Sequence, residues 1–251
     1  MKKLIYLTIA LYTVLYANAQ EADSLLVKAN NLYAQAKFDE AINVYENILK
    51  IGYEAPEIYY NLGNAYYKKN VLSQAVLNYE KALLLAPNDE DIQYNLELAN
   101  RLVVDKIEKL PVFFMRAWIN SWRNVFSSDM WAYISIIAFI ATLVFISFYL
   151  YSRRLGFKKL SFGLSFLTLL ICIVSLTFSY QQKQKVISGT TAVVMSPSVT
   201  VKSSPDASGT DLFVLHEGTK VWIEDKVSDW QEIKLSDGSK GWLKAENLEV
   251  I

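Results

Sequence analysis

The chain has 251 residues, of which 53% are hydrophobic, and its 25 basic and 25 acidic residues give a formal net charge of zero. The length predicts one or two domains, and a mean hydropathy of +0.17 is higher than is usual for a soluble protein. With one histidine, one cysteine and no glycine-rich phosphate loop, the composition argues against a catalytic triad, a metal cluster or a nucleotide site. We therefore predict no enzyme, no metal and no cofactor.

The first predicted element is a secretory signal peptide over residues 1–19. Two lysines precede a short apolar run, which ends in the small-x-small pattern Ala17-Asn18-Ala19. We expect cleavage before Gln20, and an uncleaved membrane anchor is the alternative. In either case the segment that follows is exported.

Residues 20–104 contain an internal repeat. Ala41 and Ala75 are separated by one period of this repeat, and so are Tyr45 and Tyr79. The period is that of tetratricopeptide (TPR) repeats, units of two short helices, and this segment resembles that family. The resemblance implies an all-α array with repeats 22–55 and 56–89 and a capping helix over 91–104. The TPR positions of the second repeat hold Tyr59, Leu62, Gly63, Tyr66, Ala75, Tyr79, Ala82 and Pro87.

The TPR resemblance implies a groove, formed by the first helix of each pair, that binds an extended peptide or a partner helix. Carboxylate-clamp TPRs place Lys or Arg where this chain has Leu26, Asp91 and Asn95, so we do not expect capture of a C-terminal carboxylate. The expected groove residues are Asn30, Tyr33, Tyr60, Asn61, Asn64, Tyr67 and Asn95.

The repeat segment is acidic. Twelve acidic and six basic residues between Glu21 and Asn100 give a net charge of −6, which argues against binding nucleic acid or a membrane surface. The acidity is either an ordinary solvated face or a surface for a basic partner. About two and a half repeats are marginally stable alone, so we expect support from the membrane-proximal helix, a partner or self-association.

Residues 111–126 form a predicted amphipathic segment. Phe114, Trp118 and Trp122 recur at helical spacing, with Arg116 and Arg123 among them. Such a segment beside a membrane crossing is typical of the lipid headgroup layer. The alternative is that it packs on the repeats as a final helix.

Two apolar blocks follow, over 130–151 and 160–180, and neither contains Asp, Glu, Lys, Arg or His. As helices, blocks of about 20 residues cross a hydrocarbon core of ~30 Å. Small or polar residues recur along each block, which predicts that these stripes meet in a helical hairpin or a larger bundle. The stripes are Ser135, Ala138 and Thr142 in the first block and Ser161, Ser165, Thr168, Cys172, Ser175 and Ser179 in the second.

The loop between the blocks, residues 152–159, has four cations and no anions, which predicts that it is cytoplasmic. Two crossings then place the repeats and the C-terminal segment together on the other side, in agreement with the signal peptide. We predict a two-span protein of the bacterial inner membrane with both folded modules in the periplasm.

Residues 188–251 change to short alternating runs, which predict five strands and a small all-β barrel. The Leu-x-Glu-Gly turn at 215–218, the Asp229-Trp230 pair and the Asp-Gly-x-x-Gly-Trp run at 237–242 resemble bacterial SH3-like domains of the SH3b type. That resemblance implies a cell-wall peptide or a protein as ligand. For His216 we predict a local hydrogen bond.

Three tryptophans of the SH3-like domain are candidates for its ligand groove: Trp222, Trp230 and Trp242. The alternative is that they fill the interior, as small barrels need aromatic side chains there. We expect at least one of them in the core.

The order of the parts resembles the TPR-containing membrane proteins of the bacterial aerotolerance (Bat) group, of the BatE type. The resemblance implies a role in a membrane complex beside von Willebrand factor A-type proteins. The leading hypothesis is therefore a scaffold that binds protein partners through the TPR groove and the SH3-like domain. The rival is a sensor or tether that binds peptidoglycan peptide through the SH3-like domain.

Overall fold

The computed structural model describes residues 20–108, 110–111 and 113–251, so the predicted signal peptide lies outside the described residues. The chain forms two compact units. The first contains the described residues up to Leu83, then Asp89–Leu110 and Thr190–Ile251. The second contains Leu84–Asn88 and Pro111–Gly189.

Five helices form the array of the first unit. The small residues that TPR helices need at their contacts are fully buried, for example Ala29, Ala41 and Ala75. The turns inside the two pairs also match, because Ala36 and Asn70, at equivalent positions of the two repeats, both have φ of 59°. The helices are residues 20–34 (α1), Phe38–Lys50 (α2), Pro56–Lys68 (α3), Leu72–Leu85 (α4) and Glu90–Leu102 (α5).

The C-terminal segment forms one antiparallel sheet of seven strands in the order β3-β2-β6-β5-β4-β1-β7. The prediction of five strands is wrong: β2 alternates polar and apolar residues but directly follows the turn residue Pro197, and β7 is only three residues long, so the sequence pattern predicts neither as a strand. One aliphatic core, including Val201, Val221 and Ile233, draws side chains from six strands. The strands are Thr191–Val194 (β1), Ser198–Lys202 (β2), Asp211–His216 (β3), Lys220–Val227 (β4), Trp230–Lys234 (β5), Lys240–Lys244 (β6) and Leu248–Val250 (β7).

The second unit consists of helices α6 (Phe114–Asn124), α7 (Ser128–Tyr151) and α8 (Leu155–Ser188). α8 begins at Leu155, so two of the four cations assigned to the loop, Lys158 and Lys159, lie near its start. α8 also continues beyond the apolar block to Ser188 because its last turns are polar but good helix formers.

The packing of α7 against α8 confirms the predicted stripes. Ser135 and Thr142 of α7 and Ser161 and Ser175 of α8 are buried, and Thr142 Oγ1 lies 2.8 Å from Thr168 Oγ1. Small side chains at these positions let the helix backbones approach closely. In the most apolar stretch of each helix only 17% and 11% of the residues are buried, so the large apolar side chains face outward. Both helices are long and apolar enough to span a membrane.

Candidate partner-binding faces

The first helices of the array carry asparagines whose hydrogen bonds recur from one repeat to the next. Tyr45 donates its hydroxyl to Asn30 Oδ1 at 2.6 Å, and Tyr79 donates to Asn64 Oδ1 at 2.7 Å. Each bond joins the second helix of a pair to the first. We name the surface around these asparagines the asparagine–tyrosine face; it comprises the predicted groove residues Asn30, Tyr33, Tyr60, Asn61, Asn64, Tyr67 and Asn95, which are all half-buried.

A second set of bonds links successive first helices. Asn61 Nδ2 donates to Asn30 Oδ1 at 3.1 Å, and one repeat later Asn95 Nδ2 donates to Asn64 Oδ1 at 3.3 Å. Asn95 Nδ2 also donates to the Tyr60 hydroxyl at 2.7 Å. The structure thus brings the four asparagines into one row across α1, α3 and α5. Their role in partner binding stays a prediction.

Two tyrosines at this face, Tyr33 and Tyr79, have a pKa above the ordinary value. Burial raises the pKa of Tyr79, and the nearby Tyr60, Tyr33 and Tyr67 raise it further. Burial and Tyr60 also raise the pKa of Tyr33. The rings of Tyr60 and Tyr79 are 6.1 Å apart between centroids. The hydroxyls of Tyr33 and Tyr79 are therefore neutral at physiological pH and can donate or accept hydrogen bonds.

The chemistry of the asparagine–tyrosine face suits a peptide backbone. A carboxamide both donates and accepts, as does the peptide group of an extended chain, and neither carries a charge. In the described part of the chain, the Nδ2 groups of Asn30 and Asn64 donate to no protein acceptor, so they remain available to a ligand. Sequence reasoning identified the asparagines but missed Tyr45 and Tyr79 as the donors that orient them. The recurrence of a tyrosine at the same position of both repeats was the signal.

The three candidate tryptophans lie on the outer face of the sheet. Val221 and Leu243, next to Trp222 and Trp242, are fully buried, so strand alternation turns both tryptophans outward. Trp222 is 38% exposed, and Trp230 and Trp242 are half-buried. The expectation that at least one tryptophan fills the core is wrong, because aliphatic side chains from six strands occupy it.

Strand register places the three tryptophans on one face of β4, β5 and β6. Trp230, Glu232 and Lys234 alternate along β5 and therefore lie on the same face of the sheet. Residues directly opposite one another in paired strands also share a face. Charged side chains lie beside the rings: the ammonium of Lys220 lies 6.0 Å from the centroid of the Trp222 ring. The registers pair Trp222 with Lys234, Trp242 with Glu232 and Trp230 with Lys244.

The turn between β3 and β4 docks on α4 and on the segment after α5. Gly218 has φ of +83°, and a Cβ added to it would lie 2.9 Å from Val103 Cγ2 and 3.6 Å from Leu72 Cγ. Both the backbone conformation and the close approach therefore require glycine. Beside it, Ser73 Oγ donates to Glu217 Oε2 at 3.0 Å.

An ion pair holds the same contact. Lys220 Nζ of β4 lies 2.6 Å from Glu80 Oε2 of α4, and the Glu80 side chain is only 9% exposed. Removal of either partner would leave the other charge poorly solvated. No local pattern in the sequence indicates this pair, whose members are 140 residues apart.

Asp105 accepts hydrogen bonds from both ends of the docked turn. The His216 backbone N–H donates at 2.7 Å, the Thr219 hydroxyl donates at 2.6 Å, and His216 Nδ1 lies 2.8 Å from the second carboxylate oxygen. The prediction of a local bond for His216 is therefore wrong, since its partner lies 111 residues away. Burial acts to raise the pKa of Asp105, but the bonds from Thr219 and His216 outweigh it and hold that pKa below its ordinary value.

The contact between Asp105 and His216 joins one carboxylate and one imidazole. Within residues 20–108, 110–111 and 113–251, no three or more His, Cys, Asp or Glu side chains are grouped as metal ligands would be. The cluster is a contact between the array and the sheet.

Comparison with known families agrees with this architecture. Residues 29–70 match the TPR repeat family, and residues 56–89 match a second family described as tetratricopeptide repeat. Residues 197–249 match the bacterial SH3 domain family. No curated protein matches the chain. The protein therefore combines an N-terminal array of TPR repeats with a C-terminal bacterial SH3 domain. Along the chain, two helices that can span a membrane separate these two parts.

Proposed function

We propose that the protein is a non-enzymatic, membrane-anchored scaffold that binds an extended segment of a protein partner on its asparagine–tyrosine face. The row of four asparagines, in which the tyrosine–asparagine bond and the asparagine–asparagine bond both recur one repeat later, carries this proposal. Such a row presents amide groups that can pair with those of an extended peptide, and TPR repeats suggest protein interaction. The order of domains favours a partner in an envelope-stress or aerotolerance complex, with von Willebrand factor A-type membrane proteins as candidates.

The contacts between the array and the SH3 domain support a shared compartment. Asp105 precedes both apolar helices in the chain, His216 follows both, and the two residues are in direct contact. Two crossings bring the chain back to the side from which it started. The four cations of residues 152–159, two before α8 and two in its first turns, favour the cytoplasm for this end of the hairpin, so we propose that both domains lie in the periplasm.

Site-specific photo-crosslinking in the full chain tests the scaffold. A photoreactive residue at Asn61 or Tyr67 is expected to crosslink one stoichiometric protein in native membranes, and the same residue at the exposed Asn43 of α2 is not. Asn64→Ala should remove the crosslink, because it deletes the acceptor shared by Tyr79 and Asn95. Equal crosslinking from Asn43 and Asn61, or no stoichiometric partner, would contradict the proposal.

The outer tryptophan face favours a second function, a tether to peptidoglycan peptide. Three tryptophans on one side of the sheet, none of them in the core, give an aromatic surface that a cell-wall peptide can contact. Full-length protein in detergent should then cosediment with purified peptidoglycan, and Trp222→Ala should abolish this, whereas Leu212→Ala, at an exposed apolar side chain of β3, should not. Cosedimentation that survives loss of Trp222 and Trp242 together would exclude the tether.

A further inference from the structure

Helix α6 is fixed to one end of the α7–α8 hairpin through its last turn. Trp131 Nε1 donates to the backbone oxygen of Arg123 at 2.8 Å, and Gln182 Nε2 donates to the same oxygen at 2.7 Å. Gln182 Nε2 also donates to the Phe126 oxygen at 3.0 Å. Trp131 is near the start of α7, and Gln182 follows the apolar block of α8. The Arg123 side chain therefore lies where the hairpin leaves the apolar layer.

Arg123 is a buried cation without a carboxylate partner. The residue is 8% exposed, its guanidinium donates to Gln181 Oε1 at 3.3 Å, and its Nε is enclosed without an acceptor. Among the residues that the structure describes, its contacts include no Asp or Glu. The neighbouring Gln182 Oε1 is also enclosed without a donor. A buried guanidinium without a carboxylate is strongly unfavourable unless an anion from outside the chain neutralises it.

A second arginine lies on the same face of α6. Arg116 is two helical turns before Arg123, so both side chains lie on one face of α6. Burial lowers the pKa of Arg123, and the positive charge of Arg116 lowers it further. Guanidinium groups match the oxygens of a phosphate group, which accept several N–H bonds at once.

The surroundings of the arginines indicate lipid. Trp118 and Trp122 of α6 are 63% and 54% exposed and stack edge to face at 6.1 Å. Within the second unit the outward-facing side chains of α7 and α8 are also apolar. Tryptophan is enriched where a membrane meets water, which is also the level of the lipid phosphates.

We propose that Arg116 and Arg123 bind the phosphate of an anionic phospholipid at the end of the hairpin joined to α6. The lipid supplies the counterion that the chain lacks, and Lys183, directly after Gln182, adds positive charge at the same end. The inference rests on the proposal that α7 and α8 span a membrane, but it does not depend on the partner of the TPR array.

Native mass spectrometry of the full chain in detergent tests the site, with dioleoyl phosphatidylglycerol, dioleoyl phosphatidylcholine and inorganic phosphate as separate probes. We expect preferential binding of phosphatidylglycerol, and at least about tenfold weaker binding after Arg116→Gln plus Arg123→Gln, since charged hydrogen bonds are lost. The matched control is Lys158→Gln plus Lys159→Gln, which removes two charges at the other end of the hairpin and should leave this binding within about twofold.

Arg116→Gln alone keeps the test valid if the double variant does not fold, because Arg116 is exposed. Equal binding of the two lipids would overturn the proposed site. The same loss of phosphatidylglycerol binding in the lysine control would overturn it as well. Displacement of phosphatidylglycerol by inorganic phosphate would show that the site binds free phosphate and would overturn the proposal that its ligand is a lipid. If alkaline carbonate extracts the full chain from native membranes, the membrane span itself fails and the site with it. A chain that resists extraction but shows no lipid preference refutes the site alone.

Discussion

The helical array and the helical hairpin bury opposite kinds of residue. In α1–α5 the interior is apolar, as at Ile48 and Leu62, and the exposed positions are mostly polar or charged. In α7 and α8 the buried positions include Ser135, Thr142 and Ser175, whereas large apolar side chains face outward. The array therefore gains stability by removing apolar surface from water. In a hairpin that spans a membrane, as we propose for α7 and α8, that gain is absent, and close packing of small residues holds the helices together.

The largest expected effect comes from an arginine in the outward face of the hairpin. Ile140, near the middle of α7, is 55% exposed, and Ile140→Arg should cost about 2.5–3.5 kcal/mol of membrane insertion, since a charge must enter hydrocarbon. The loss of membrane insertion is measured as the decrease in the fraction of the full chain that resists carbonate extraction.

The matched control for Ile140→Arg is Val27→Arg in α1, where the side chain is 61% exposed to water. It should change the free energy of unfolding by less than about 0.5 kcal/mol. Equal tolerance of both substitutions would remove the contrast between the two regions.

The hairpin was the region most open to prediction from sequence. Uncharged blocks of about 20 residues predict where the two helices lie in the chain, and the spacing of Ser161, Thr168 and Ser175 predicts which side of α8 is buried. The array was predictable for a related reason, because the repeat period aligns Tyr45 with Tyr79 and Asn30 with Asn64. Both predictions used periodicity within one element or between neighbouring repeats.

Contacts between distant segments left no such signal. His216 precedes a turn, and the local sequence favoured a hydrogen bond between its side chain and that turn. In the structure the side chain of His216 contacts Asp105. The tryptophans were misjudged because alternation cannot say which face of a strand is inside until the register is known. Arg123 was expected in the headgroup layer, and only the fold showed that its guanidinium is enclosed without a carboxylate.

Glycine substitutions sharpen the comparison further. A Cβ at Gly63 would lie 2.8 Å from the ring of the buried Tyr79, so Gly63→Ala should destabilise the array by about 1–3 kcal/mol through overpacking. At Gly163 in α8 an added Cβ meets no atom within 4 Å, so Gly163→Ala should be neutral or slightly stabilising. Hydrogen exchange of α3 and α8 peptides in the full chain measures both changes, and equal destabilisation would contradict the difference in packing.

Acid should affect the water-facing unit and not the hairpin. The pKa of Asp105 is held below its ordinary value of 3.8, so its stabilising contribution is complete above that pH and is lost as pH falls through the folded pKa. Asp105→Asn should cost about 1 kcal/mol at pH 7, the difference between charged and neutral hydrogen bonds.

Thermal unfolding of the wild-type and Asp105→Asn chains should therefore converge as pH falls below 3.8. The two apolar blocks contain no carboxylate, so contacts between α7 and α8 supply the pH-independent reference in the same sample. A difference between the chains that stays constant from pH 7 to pH 3 would show that the Asp105 charge does not stabilise the docked turn.

The smallest effect is expected inside the hairpin, at the hydrogen bond between Thr142 and Thr168. Thr142→Val keeps the shape of the side chain, and the Thr168 hydroxyl still donates to the Leu164 backbone oxygen at 2.9 Å. Thr142→Val should therefore lower the free energy of unfolding by only about 0.6 kcal/mol, measured in an SDS unfolding titration of the full chain. Ser175→Leu, which replaces a 1% exposed small residue of the same interface, should cost more because it forces the helices apart. If Thr142→Val proved the more damaging of the two, hydrogen bonding and not close packing would hold α7 to α8.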